Sequence, residues 1–169
     1  MSVLAGAGLI AALAAGGSRD RLRSALSGQE RHPIAWALLL VLTATAGSLY
    51  LSEIIGFVPC LLCWYQRIAM YPLVVVLGVA LVRTDPGVWR YALPLSLVGL
   101  AIAIYHVSIQ WMPTLEVTTC DAGAPCTGRY VAVFGFISIP TMAGSVFLLV
   151  SALMLLLRRL EPEDDAAEA

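Results

Sequence analysis

The chain has 169 residues, a formal net charge of −1, and a composition that is 60% hydrophobic and 12% charged. This balance gives no electrostatic basis for binding nucleic acid, and a soluble fold of this size would leave much of its apolar surface in water. The four cysteines occur as two close pairs, Cys60 with Cys63 and Cys120 with Cys126. We therefore expect a one-domain membrane protein whose chemistry depends on cysteine.

Four apolar stretches are long enough to cross a bilayer as helices, which takes about 20 residues each. They cover 34–54, about 64–82, 91–111 and about 134–157. Each contains a glycine or a proline, which membrane helices tolerate better than soluble helices do. The pattern predicts an all-α integral membrane protein, a four-transmembrane-helix bundle over 34–157 in which two short loops carry the cysteine pairs.

The two ends of the chain fall outside this bundle. Residues 2–17 are apolar, but the run is short and has no basic residue before it, unlike a secretory signal. We interpret 1–33 as an interfacial arm followed by a basic segment, with a fifth membrane segment over 2–17 as the alternative. The tail, 158–169, ends in EPEDDAAEA, which is acidic, lacks large apolar residues and is predicted to be disordered.

The arginines indicate how the bundle is oriented. Eight of ten lie on the same side of the predicted membrane, namely Arg19, Arg21, Arg23, Arg31, Arg83, Arg90, Arg158 and Arg159. The positive-inside rule makes that side, with both termini, cytoplasmic. The two cysteine loops are then extracytoplasmic, in the compartment where disulfides persist.

The first cysteine pair lies in the segment PCLLCWYQR, residues 59–67. Pro59 suits a helix start, and the spacing places Cys60 and Cys63 on one face of the first turn. A thiol at a helix N-terminus is more acidic and more reactive than an ordinary one. Arg67 lies one turn beyond Cys63, and a charge at a membrane edge suggests a function. It could stabilise a thiolate or donate hydrogen bonds to a ligand carbonyl.

Less reactive roles remain open for the same residues. Cys60 and Cys63 could form a structural staple, with Arg67 extending to the lipid headgroups. All four cysteines could instead bind zinc, but the five residues that separate Cys120 from Cys126 exceed the spacing that zinc sites favour. We therefore predict no metal site.

The second pair lies in the segment CDAGAPC, residues 120–126. Gly123 and Pro125 favour a chain reversal that brings the two sulfurs together. Such a small exposed ring is a candidate for a labile disulfide, while a bridge that merely stabilises the loop is the alternative. Two pairs on one membrane face, one of them beside an arginine, favour a relay from a protein partner to an acceptor.

His106 is a further candidate, near the outer end of the third stretch. It could hydrogen-bond a ligand carbonyl or move a proton, or it could be satisfied by a backbone carbonyl. Gln66 and Glu116 are assigned no role.

The residues CLLCWYQRIAMYPL, from Cys60 to Leu73, resemble the signature of the disulfide-bond formation protein B (DsbB) family, especially its short Gram-positive, BdbC-like form. Segments 106–113, 126–129 and 134–140 resemble the end of the family's third helix and the approach to its fourth. The resemblance implies a thiol:quinone oxidoreductase of the bacterial plasma membrane. It would reoxidise an extracytoplasmic, DsbA-like thioredoxin-fold oxidase and pass the electrons to menaquinone or ubiquinone.

The same resemblance implies roles for individual residues. Cys60 and Cys63 would form the redox-active disulfide next to the quinone, with Cys63 interacting directly with the ring. Arg67 and His106 would bind the quinone.

In the loop, the resemblance implies that Cys120 and Cys126 form the second redox-active disulfide, with Cys120 attacked by the partner. Gram-negative members have a much longer segment between these cysteines than the five residues here, so a large loop rearrangement is not implied.

Two other functions fit the same pattern. One is a thiol oxidoreductase similar to vitamin K epoxide reductases, which also combine a four-helix core with cysteine pairs. The other is a non-catalytic membrane adaptor or channel subunit with two structural disulfides. The disulfides of an adaptor should resist mild reductant and should not respond to quinone.

Overall fold

The computed structural model describes residues 31–116, 120, 125–128 and 138–160. Within them lie four long helices, α1 (Arg31–Leu49), α2 (Leu61–Arg83), α3 (Trp89–Trp111) and α4 (Ile139–Leu160). Four segments are long and apolar enough to cross a membrane, Arg31–Ile54, Leu61–Arg83, Pro86–Trp111 and Ile139–Leu160. The predicted all-α, four-helix membrane bundle is confirmed.

The helix ends differ from the predicted ones for local reasons. The first span continues beyond α1 as a π-helical turn, Tyr50–Ile54, and the chain then turns at Gly56, whose φ of +79° favours glycine. The second span begins at Leu61 rather than Trp64, because the Cys60 side chain caps the helix. The third is preceded by a 3₁₀ turn, Pro86–Val88.

Several predictions fall on parts of the chain that lie outside the described residues. These are the apolar arm 2–17, the start of the fourth span at 134–137 and the acidic segment 161–169. The described part of the fourth span begins at Ile139 and extends to Leu160, three residues beyond the predicted end.

Small side chains allow α3 and α4 to approach closely. A Cβ atom built on Gly99 of α3 would overlap the ring of Phe147 on α4. The hydroxyls of Ser96 and Ser151 form a buried hydrogen bond of 2.9 Å between the same two helices. Helices associate in lipid largely through such packing and hydrogen bonds, because the lipid is as apolar as the side chains.

We expect Gly99→Ala to lower the free energy of unfolding by about 1–3 kcal/mol, the usual cost of overpacking a core. Thermal unfolding of the purified protein in detergent would measure the change. Gly78→Ala is the matched control, because nothing lies within 4 Å of a Cβ atom at that helical glycine. Equal stability of the two variants would show that the Gly99–Phe147 contact relaxes without cost.

Candidate redox site

The first cysteine pair lies at the N-terminus of α2. Cys60 is the N-cap residue, and its sulfur accepts a hydrogen bond of 3.4 Å from the backbone N–H of Cys63. Pro59 therefore precedes the cap and is not the first helical residue. The two cysteines are free thiols with their sulfurs 2.9 Å apart. They are placed to form the predicted disulfide, which stays a prediction.

The second pair, Cys120 and Cys126, is joined by a disulfide with a Cα–Cα distance of 5.9 Å. Zinc binding by four cysteine thiolates is incompatible with this bond. Cys126 is fully buried and packs in one apolar cluster with Cys60, while Cys63 and Cys120 lie at its edge. The fold therefore brings all four cysteines together at one end of the bundle.

His106 lies between the two pairs. Its Nε2 atom is 3.7 Å from the sulfur of Cys60 and 3.1 Å from the backbone oxygen of Cys126. Its Nδ1 atom is 3.3 Å from the amide nitrogen of Gln66. The imidazole is buried, with His106 only 1% exposed. Its predicted binding to a quinone stays a prediction.

The surroundings of Cys60, just outside the second span, favour its thiolate. The hydrogen bond with the Cys63 thiol is the main cause of a strongly lowered pKa of Cys60, with a further contribution from His106, while burial acts in the opposite direction. The Cys60 thiolate thereby stabilises the reduced pair. This stabilisation is fully present above the ordinary pKa of a thiol, and it is lost as the pH falls through the lowered pKa of Cys60.

A cavity of about 770 Å³ lies against the first cysteine pair, between α1, α2 and α4. Both Cys60 and Cys63 line it. Most of the other lining side chains are apolar, among them Leu39, Leu51, Phe57, Met70, Met142 and Val146. A mostly apolar cavity with a few convergent polar groups is typical of a site for a small organic ligand.

Arg67 lies on the wall of this cavity. Its Nε and one terminal nitrogen donate hydrogen bonds to the hydroxyl and backbone oxygen of Ser48 on α1, each of 2.9 Å. Its guanidinium also lies 5.4 Å from the ring centre of Trp64. Two of its five N–H groups are thus engaged by Ser48, and the other three can donate to a ligand.

Gln66, which the sequence left without a role, lies within the site. Its side chain is 5% exposed and contacts His106. Two signals were available: Gln66 is polar within an apolar span, and it lies three residues beyond Cys63, on the same helix face.

Gln110 and Glu116 were also left without a role. Gln110, one turn after His106, is buried, donates to the backbone oxygen of Gly128 and accepts from the hydroxyl of Ser138. It therefore anchors the segment that follows the second cysteine pair. A carboxylate oxygen of Glu116 lies within 4.8 Å of both disulfide sulfurs.

These features define the class of the protein, a multi-pass membrane oxidoreductase with two cysteine pairs packed together at one end of a four-helix bundle. The chain matches the model of the family "Disulfide bond formation protein DsbB" over residues 30–157. It belongs to this family, and its activity is that of a disulfide-forming membrane oxidoreductase.

The chain is similar to several curated relatives. It is 46% identical to disulfide bond formation protein C of Bacillus subtilis (strain 168) over 125 residues, which cover 73% of this chain and 89% of the relative. It is 46% identical over 122 residues to a probable disulfide formation protein C of Halalkalibacterium halodurans, covering 72% and 89% of the two chains. No solved structure matches the chain. The family favours an oxidoreductase over the adaptor hypothesis.

Proposed function

We propose that this protein is a thiol:quinone oxidoreductase that reoxidises an extracytoplasmic thioredoxin-fold oxidase. One observation carries the proposal. Both cysteine pairs lie in a single cluster, and the first pair and Arg67 line an apolar cavity of about 770 Å³. A chain of thiol–disulfide exchanges needs one pair that reaches a protein partner and one that reaches an acceptor, and this arrangement supplies both.

The cavity suits a quinone in its chemistry. Its apolar wall would contain the ring and the lipid tail, and three of its polar groups, Ser48, Gln66 and Arg67, lie on the α1 and α2 sides with Cys63. The free N–H groups of Arg67 can donate to a carbonyl oxygen that gains negative charge. A quinone, when bound, supplies the two-electron acceptor, while the protein supplies position and electrostatics.

The first exchange takes place at the loop. A thiolate of the partner attacks the sulfur of Cys120, which is more accessible than Cys126, and Cys126 leaves as a thiolate. The second cysteine of the partner then attacks the mixed disulfide. The partner leaves oxidised, and the loop pair is left with two electrons and two thiols.

The second exchange passes those electrons inward. The Cys126 thiolate attacks Cys60 in the oxidised first pair, and Cys63 is released and takes up a proton. Cys120 then attacks Cys126, which closes the loop disulfide and releases Cys60 as a thiolate. One proton leaves the site. The result is a reduced first pair and an oxidised loop pair.

The proposed orientation and acceptor can be tested together in cells. In bacteria that express the chain and are depleted of quinone, the loop pair should accumulate as thiols, because the first pair is no longer reoxidised. A membrane-impermeant maleimide should then label Cys120 from outside intact cells, severalfold more than in quinone-replete cells, as measured by mass spectrometry of the labelled peptide. The control is the double variant Cys120→Ser with Cys126→Ser, which should lose the label.

Two results would contradict the proposal in different ways. Labelling that requires lysed cells would place the cysteines on the cytoplasmic side. Labelling from outside that is equal with and without quinone would keep the orientation but exclude a quinone as the acceptor.

A further inference from the structure

We infer that Gln66 is a positioning residue, which holds His106 in the tautomer whose Nε2–H group links the two cysteine pairs. The inference deepens the proposed function and rests on it, because it concerns the internal exchange between those pairs. The three groups are buried: Gln66 is 5%, His106 1% and Cys126 0% exposed.

The tautomer follows from the partners of the ring. The backbone oxygen of Cys126, 3.1 Å from Nε2, can only accept a hydrogen bond, so Nε2 must carry the proton. In a neutral imidazole Nδ1 is then an acceptor and requires a donor. The amide nitrogen of Gln66, 3.3 Å from Nδ1, is that donor. A side chain that cannot donate at this position would leave Nδ1 unsatisfied in a buried site.

The locked ring acts on both pairs at once. Its Nε2–H group points to the carbonyl of Cys126 and lies 3.7 Å from the sulfur of Cys60. Cys60 is the sulfur released as a thiolate when the loop disulfide closes, and a hydrogen-bond donor stabilises that charge. Gln66 therefore favours the state in which the first pair is reduced and the loop pair is oxidised, which directs electrons inward.

The test uses the full-length protein, freed of quinone, kept anaerobic and reduced by two electrons, so that it contains one disulfide. It measures how that disulfide is distributed between the loop pair and the first pair. One equivalent of dithiothreitol per chain, added to protein in which both pairs are first oxidised, prepares this state, and acid quenching, alkylation and mass spectrometry give the ratio of loop to first-pair disulfide. Loss of one hydrogen bond in Gln66→Leu should lower the ratio about three- to tenfold. Gln110→Leu is the matched control, because this buried amide contacts the same loop segment through Gly128. It should keep the ratio within about twofold of wild type.

The pH dependence of the disulfide ratio in Gln66→Glu distinguishes a hydrogen-bonding role from a packing role, because packing alone would not change it. A carboxylate at this position accepts from Nδ1–H, so the ring keeps its Nε2–H group only while it is doubly protonated. The ratio relative to wild type should therefore fall as the pH is raised, because the variant loses the Nε2–H group when the ring gives up its second proton. Ligand atoms of Cys60, Cys63 and His106, one from each residue, lie within 4.8 Å of one another, so the variant is compared with wild type at each pH to control for titration of the two thiols.

The outcomes separate this inference from the proposed function. Equal losses in Gln66→Leu and Gln110→Leu, or a Gln66→Glu ratio that follows wild type at every pH, would overturn the role of Gln66 while the relay remains. A wild-type protein whose disulfide never moves between the pairs would overturn the relay, and the inference with it, before any variant is made.

Discussion

Replacing Cys120 with serine is expected to abolish covalent capture of the partner oxidase. A thioredoxin-fold oxidase that lacks its second cysteine should stay bound to the wild-type protein, because the partner cysteine that resolves the mixed disulfide is missing and Cys126 can go on to attack Cys60. Cys120→Ser removes the disulfide that the partner attacks and its more accessible sulfur. The adduct on a non-reducing gel should fall to the background level.

The control for this experiment is Cys60→Ser. It breaks the first pair but leaves the loop disulfide intact, so the adduct should still form well above the background level. An adduct that survives in Cys120→Ser and maps to Cys60 would reverse the roles assigned to the two pairs.

Replacing Arg67 with methionine should lower quinone turnover about ten- to a hundredfold. A charge-assisted hydrogen bond to a carbonyl oxygen that gains charge is worth roughly 1.5–3 kcal/mol, and each 1.36 kcal/mol is about tenfold in rate. Exchange between the partner and the loop disulfide should be nearly unchanged, because that step does not use the cavity. Two assays on one purified variant, quinone reduction and quinone-free partner exchange, measure the difference.

The contacts of Arg67 require a control for helix packing, because the guanidinium also joins α2 to α1 through Ser48. Ser48→Ala removes the hydroxyl acceptor and leaves the guanidinium in place, so it should reduce turnover much less. Arg67→Lys should rescue only in part, because lysine lacks the planar fork. Equal losses in Ser48→Ala and Arg67→Met would assign Arg67 a structural role, as would equal losses in the two assays.

The spans could be predicted from the sequence because membrane insertion depends on the length and polarity of a continuous segment. The start of α2 was predicted at Pro59 but lies at Leu61, since Cys60 was treated as part of the first turn and not as its cap. The π-helical turn at Tyr50–Ile54 was not foreseen, because no local residue pattern distinguishes it from an α-helix.

The site was only partly predictable. Cys60, Cys63 and Arg67 could be chosen from their spacing on one helix, and Cys120 and Cys126 from their pairing in one loop. The contact partners of these side chains could not be predicted. Arg67 meets Ser48, and His106 meets Gln66, across pairs of helices whose relative rotation the sequence does not reveal. Gln66 shares a helix face with Cys63, but its contact with His106 depends on how α2 packs against α3.

The sequence by itself determined the four spans and the local spacing within each cysteine pair, because these depend on neighbours within a few helical turns. Tertiary structure alone decided that His106 meets Cys60, 46 residues away, and Gln66, 40 residues away. It also placed Cys126 in the same buried cluster as Cys60. Such contacts depend on the relative rotation and packing of α2 and α3. The small residues and buried side chains of the whole bundle determine that packing.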